Sequence, residues 1–508
     1  MEKLAKSAFC VTCCMVLSKV LGLLREILLA NRFGTTRIAD AYSIAITLPS
    51  VIFAVFAGGF SNSYLPVYTR LDSPEKKQSF FCNVTTILTI FSIVFMVITV
   101  LGADIIAGIL APGFSGESLE LVQMFIRIVA FILPFDTIFN QLSCQGQANE
   151  DFIFAEFCNS IIINLIIIGS IQLATVQSPG VLMWGYVMAR VVAVGIFAVY
   201  LSRKWNVRYS WKFDVKDKNF SALVALAIPL GLSLLANQLN ALVDKMFSSS
   251  LGEGITSAIS YANRIQLLPY SLTVSVVLAV CYPRINKCFA SKSKEEGLFY
   301  IQKASSIAML LSVPVAIFIL FFSNPLIKLI FERGAFTGQS TIITAECLLF
   351  YSIGIPFYAL REIASKTLAS NLRQRQIFKN TIISVLVNIL LDWILVRYLN
   401  YRGLALATSI AGIVAFLLMN RDVRRIGLSL FDPVTFRDGA KIILSSIVSV
   451  AAAYVLNTRI LTSVRFEVSM LCTFLLAGVL YFCLNCFVLK TNVVVWGVKL
   501  MLRSRKHD

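Results

Sequence analysis

The stretch SKVLGLLREILLANRFG, residues 18–34, places Lys19, Arg25 and Glu26 inside an apolar run that opens at Ala8. At about 100° per residue on a helix, Ser18, Lys19, Gly22, Arg25 and Glu26 share roughly a third of the circumference, so the charges form one stripe. A charge at bilayer depth costs about 2.5–3.5 kcal/mol, and such residues therefore face a bundle interior or a wet cavity. Two cations on one stripe suit an anion. A guanidinium fork matches phosphate oxygens in bidentate geometry, and an ammonium adds a point charge, so a pyrophosphate is a natural ligand. Arg264, in SYANRIQLLPY, is a third cation of this kind, and Asp40 is an acid at the start of the second apolar run. The competing reading is an ion pair, Arg25–Glu26 or Lys19–Glu26, that only fixes helix packing. Further charges fall within apolar runs at Arg127, Asp136, Arg190, Arg361, Glu362 and Lys366. Their cationic excess favours an anionic cargo over an exported cation.

A second constellation lies in SVLVNILLDWILV, where Asn388 and Asp392 stand one helical turn apart. With Asp244 and Thr408 they offer amide, carboxylate and hydroxyl oxygens, hard ligands suited to a coupling ion such as Na⁺. Hydrogen bonding between neighbouring helices is an equal alternative for Asn388 and Asp392. Other chemistries are absent. The twelve cysteines lie mainly in apolar runs, and with one histidine, His507, they make no zinc pattern. The CxxC at Cys483 and Cys486 falls within a helix and reads as packing. There is no GxxxxGK[ST] for ATP and no histidine placed for a triad, so an enzyme is not expected.

The elements that hold these residues are membrane helices. The 508 residues are 57% hydrophobic and 14% charged, with a mean hydropathy of +0.79, whereas soluble domains carry about 25% charge. The runs are continuous rather than alternating, which requires helices and excludes a barrel. About fourteen such runs, from 8–32 and 39–69 through 220–249 to 438–458 and 467–489, predict an all-α polytopic protein. The net charge of +18 sits mostly in short loops after even-numbered helices, as in Arg203, Lys204, Arg208, Lys212, Lys216 and Lys218. Loops such as APGFSGESLE, TVQSPGV and SSLGEGITS have no base. The positive-inside bias therefore places both termini in the cytoplasm, and no nucleic-acid partner is needed. The loop CQGQANED, which lacks bases, is the weak point of that scheme. The first segment has charges in its middle and no clear cleavage site, so it is expected to be retained.

A faint repeat links Arg25 through TLPS to YLPVYTR with Asp244 through QLLPY to CYPRINK. Each copy is a charged helix, a short loop, a Pro-interrupted helix and a basic exit, as in transporters built from two halves. The organisation expected is an N-lobe at 1–205, a basic linker at 206–219, a C-lobe at 220–425, two further helices at 426–490 and a basic tail at 491–508. Two six-helix lobes would then flank a central cationic cavity fed by Lys19, Arg25 and Arg264.

The segments SKVLGLLREILLANRFGTTRIADAYSIAITLPSVIF, SYANRIQLLPYSLTVSVVLAVCYPRINK and LIFERGAFTGQST resemble those of the MurJ/MviN lipid II flippase family, within the multidrug/oligosaccharidyl-lipid/polysaccharide (MOP) exporter superfamily. The resemblance covers nearly the whole chain, and FERGAF is its most specific piece. It implies transfer of undecaprenyl-pyrophosphate-linked disaccharide-pentapeptide to the outer leaflet of a bacterial inner membrane by alternating access, serving cell-wall synthesis. It also implies a groove for the lipid tail beside the last two helices. The family's basic positions fall on Lys19, Arg25 and Arg264, and its acids on Glu26 and Asp40. The chain departs from the family pattern at Lys19, Phe53, Gly58, Asn263 and Glu362, so another polyprenyl-linked saccharide remains an alternative cargo. A non-transporting scaffold for cell-wall synthesis enzymes is the alternative from a different class.

Overall fold

A computed structural model describes residues 2–53, 58–291, 293–461 and 464–495. The described residues contain helices and no strand. Contacts divide the chain into two units, Met1–Ser257 with Arg333–Thr337, and Ala258–Glu332 with Gly338–Asp508.

The first unit opens with α1 (Glu2–Phe33), followed by α2 (Arg37–Ala45), α3 (Thr47–Phe53) and α4 (Gly59–Tyr68). The predicted single span 39–69 is thus broken. Pro49 has no N–H to give to the Ala45 carbonyl, and α2 ends at Ala45. Next come α5 (Pro74–Leu101), the short α6 (Ala103–Leu110), α7 (Glu117–Val129) and α8 (Ile132–Ala148). The α7–α8 break has the same cause, because Pro134 cannot bond to the carbonyl of Ala130. Helix α9 (Ile153–Phe157) runs through a π turn, Cys158–Ile162, into α10 (Ile163–Leu173), and α11 (Gly180–Trp205) and α12 (Lys218–Ser249) complete the unit. Phe81, Phe139, Cys158, Phe197 and Leu201 pack α5, α8, the π turn and α11 into one apolar cluster. The basic linker does not hang free. Asn83 of α5 gives its Nδ2–H to the Asp214 carbonyl at 2.8 Å and accepts the Asp214 N–H at 2.7 Å, and Tyr209 bonds Thr86 at 2.8 Å.

The second unit takes in nearly all of α13 (Ile255–Val280), then α14 (Tyr282–Ala290), α15 (Lys294–Phe331), α16 (Gly338–Ser352) and α17 (Ile355–Ser370). It continues with α18 (Gln374–Leu399), α19 (Tyr401–Arg425), α20 (Pro433–Arg459) and α21 (Phe466–Cys483), which ends in a π turn at Leu484–Val488. Helix α15 is kinked at Phe322 (φ −121°, ψ 19°), one turn before Pro325. Phe318 and Phe322 pack against Val450 of α20 and Met470 of α21.

Nine helices among the described residues are long and apolar enough to cross a membrane, or eleven if two bent pairs each count as one span. Fourteen spans are therefore not reached on apolar length alone. The predicted segments outside that set are the charged α1, the broken α2–α4 run and α12, whose apolar part is the shorter stretch Lys218–Leu232. None of the cysteines with described side chains, Cys483 and Cys486 included, forms a disulfide. Residues 496–508, with His507 and most of the predicted basic tail, lie outside the described residues, as does the side chain of Phe53.

Candidate functional site

Arg25 is the centre of the first-helix stripe. Its side chain is 15% exposed and that of Glu26 7%. Nη2 donates to Glu26 Oε1 at 3.0 Å, and Nη1 reaches Asn164 Oδ1 of α10 at 3.4 Å. The guanidinium carbon lies 5.8 Å from the centre of the Tyr186 ring, within cation–π range. Tyr186 in turn hydrogen-bonds the buried Tyr42 of α2. The ion pair of the packing reading is therefore made, and the guanidinium is also oriented by α10 and α11. Asn164 is fixed by its own Nδ2–H, given to the Ser160 carbonyl at 2.6 Å. Asn164 and Tyr186 escaped the sequence reading because they reach Arg25 from helices far along the chain. The one local signal was a pair of asparagines, Asn159 and Asn164, in an otherwise apolar run. Lys19 is half-buried on the same helix.

Asp40 is fully buried and serves the start of α13. Its two carboxylate oxygens accept the N–H groups of Gly254 and Ser257, each at 2.6 Å. A carboxylate at a helix N-terminus satisfies orphan donors and the positive end of the dipole together. Nearby, Arg37 pairs with Glu117, and its backbone N–H donates to Glu253 at 3.0 Å.

The two motifs that carry the family resemblance best meet in this unit. Ala335 of FERGAF donates its N–H to the Asn31 carbonyl of LANRFG at 2.9 Å. Gly34 (φ +58°) and Gly334 (φ +60°) lie in turns that approach so closely that a Cβ on either would strike the opposing backbone.

The other candidates are placed as follows. Arg190 of α11 forms an ion pair with the buried Asp136 of α8, whereas Arg127 pairs with Asp104 at 2.6 Å on exposed surface. In the second unit Arg264 occupies an exposed position on α13 beside the half-buried Asn263. Arg361 lies 5.7 Å from the Tyr358 ring, and Glu362 pairs with Lys366 at 3.6 Å. Asn388 and Asp392 are buried together on α18, with Nδ2 of the first donating to Oδ2 of the second at 3.1 Å. Thr408 of α19 gives its hydroxyl to the Leu404 carbonyl at 2.9 Å, and its own carbonyl accepts from Tyr358. Asp244 is half-buried on α12 in the first unit.

Asp151, in the loop after α8, is held by three side chains of α11. It accepts from Tyr200 at 2.7 Å, Lys204 at 2.8 Å and Trp205 at 3.0 Å. Burial pushes its pKa up, but these hydrogen bonds outweigh that and hold it below the usual carboxylate range. The loop, which has no base of its own, thus lies against the basic end of α11.

The many long apolar helices make this a multi-pass membrane protein, and its fold is that of the MOP exporters. A multidrug resistance MATE transporter of that superfamily in an inward-facing conformation superposes with a TM-score of 0.68 at 16% identity, over 81% of this chain and 95% of that one. The chain belongs to the MurJ family, whose model, described as lipid II flippase MurJ, matches residues 29–480. A solved lipid II flippase MurJ in an inward closed conformation superposes with a TM-score of 0.82 at 25% identity, over 94% of this chain and 99% of that one. The probable lipid II flippase MurJ of Rickettsia prowazekii is 28% identical over 407 residues, 78% of this chain and 79% of the relative. The lipid II flippase MurJ of Thermosipho africanus is 27% identical over 443 residues, 86% and 88% respectively.

Proposed function

We propose that the chain carries lipid II, an undecaprenyl-pyrophosphate-linked disaccharide-pentapeptide, from the cytoplasmic to the outer leaflet of a bacterial inner membrane. The observation that carries this reading is the family match across residues 29–480. The chain makes and breaks no covalent bond in this process; alternating access of two lobes moves the headgroup. Lys19, Arg25 and Arg264 neutralise the pyrophosphate. Arg25 is suited to it because its guanidinium is pre-oriented by Asn164 and Tyr186, so phosphate oxygens can take the place of Glu26 with little reordering. Glu26 holds the guanidinium between cargoes, and Asp40 steadies the entry of α13.

The membrane potential or a Na⁺ gradient resets the empty carrier in this reading, and the binders of Na⁺ are Asn388, Asp392, Thr408 and Asp244. Asn388 and Asp392 are buried side by side on α18, where their oxygens are hard donors for a small cation whose gradient would supply the energy. Both termini are cytoplasmic, and cell-wall synthesis enzymes are the protein partners expected beside the cargo and membrane lipids.

The test is the accessibility of lipid II at the outer leaflet in cells depleted of their own flippase. The intact chain should restore it, and Arg25→Gln or Arg264→Gln should abolish rescue at equal expression. No rescue by a well-expressed intact chain rejects lipid II as the cargo in that host.

A further inference from the structure

The first unit contains a cavity of about 460 Å³ between α8, the α9–π segment and α11, beside Met15 of α1. Its size falls within the roughly 300–1,000 Å³ of small-molecule sites. Six polar side chains line it, Asn140, Ser143, Gln147, Glu156, Asn159 and Arg190, and Phe139 and Phe152 add aromatic carbon. None of the roles assigned above uses it.

The chemistry of the lining is that of a neutral, hydroxyl-rich ligand. Arg190 already pairs with Asp136 and gives Nη1–H to Asn159 Oδ1 at 3.1 Å. Glu156 adds a negative charge, so the cavity has no surplus cation for a phosphate. Asn140 gives one amide hydrogen to the Asp136 carbonyl at 3.1 Å, leaving its second amide hydrogen and its oxygen for a ligand. Asn159, whose oxygen is occupied, keeps its amide hydrogens as donors. Ser160 bonds one oxygen of Glu156, and the other stays available. Among the described residues, the side chains of Ser143 and Gln147 have no hydrogen-bond partner in the protein. A sugar hydroxyl both donates and accepts, and the C–H face of a pyranose packs on aromatic rings. Donors and acceptors interleaved beside two phenylalanines match that pattern.

Position supports the same ligand. A hydrogen-bonded chain runs from Arg25 through Asn164 and Ser160 to Glu156. Asn164 and Glu156 are eight residues apart, about 12 Å along a helix, the scale of one or two sugar rings beyond a phosphate. The π turn at Cys158–Ile162 presents Asn159 to the cavity, and such turns recur at functional sites.

We infer that this cavity binds the sugar of the lipid-linked headgroup while Arg25 holds its pyrophosphate; the inference rests on the lipid II reading. The test uses the full chain in nanodiscs and three probes: undecaprenyl pyrophosphate, the same lipid bearing the disaccharide without peptide, and lipid II. Both sugar-bearing lipids should bind the intact chain more tightly than the bare pyrophosphate. Asn159→Ala and Glu156→Gln should each cut that advantage by about tenfold, the loss of one or two hydrogen bonds, and leave the bare lipid unaffected. Arg25→Gln should weaken all three. Variants that keep the full sugar advantage overturn the inference, as does an advantage that appears only with the peptide; both leave the flippase reading standing. If the intact chain binds none of the three, the reading and the inference fall together. Where Asn159→Ala does not fold, Gln147→Ala replaces it.

Discussion

Arg25 and Glu26 are adjacent in sequence and bonded in space, so substituting one changes the charge state of a buried pair. Removing one member of such a pair strands the other at a cost of about 3–5 kcal/mol, whereas removing both charges is close to neutral. Arg25→Gln should therefore lower the melting temperature of the purified protein, and Arg25→Gln with Glu26→Gln should restore most of it. If the restored double variant still fails to flip lipid II, the guanidinium is needed for cargo and not only for packing; rescue by the double variant assigns it to packing. The stripe itself was legible because helical periodicity is a local property of sequence. The partners of Arg25 were not, since Asn164 and Tyr186 lie 139 and 161 positions further on, and no local pattern ties them to α1. Asp40 shows the opposite limit: an acid in an apolar run signals a special role, but the N-terminus that it caps begins more than two hundred residues away.

Helices were legible wherever an apolar run was long, as at α5, α11, α15 and α18–α21. Their breaks depend on single prolines, and a hydropathy window averages over Pro49 and Pro134. The element whose stability is open to a direct test is the turn after α8. Asp151 has a depressed pKa through its bonds to Lys204, Tyr200 and Trp205. Its contribution is therefore present above the unfolded value of about 3.9 and is lost as pH falls through the folded one. Asp151→Asn should destabilise the protein by about 1–3 kcal/mol at neutral pH, toward the lower end because Lys204 is half exposed. Thermal unfolding as a function of pH should show the gap between variant and parent closing below about pH 4. A gap of equal size across that range removes the carboxylate charge from the account.

At the scale of the molecule, the distribution of bases was legible and the loop CQGQANED was its exception. Asp151 at the end of that loop bonds Lys204 of α11, which puts the loop beside the basic end of that helix; the scheme predicts that both lie on the cytoplasmic side. A phosphatase reporter fused after residue 149 should accordingly be inactive in cells, and one fused after residue 115 active; the reverse pattern inverts the topology. The interlock of Gly34 with the Gly334–Ala335 turn is also a property of the whole chain, linking stretches about three hundred residues apart. Either glycine replaced by alanine meets both a left-handed backbone, costing about 1–2 kcal/mol, and an opposing carbonyl. Two backbones in such contact cannot change separately. Through descent, LANRFG and FERGAF should therefore behave as one inherited character written in two places, and a lineage that lost one glycine would be expected to carry a compensating change in the other stretch.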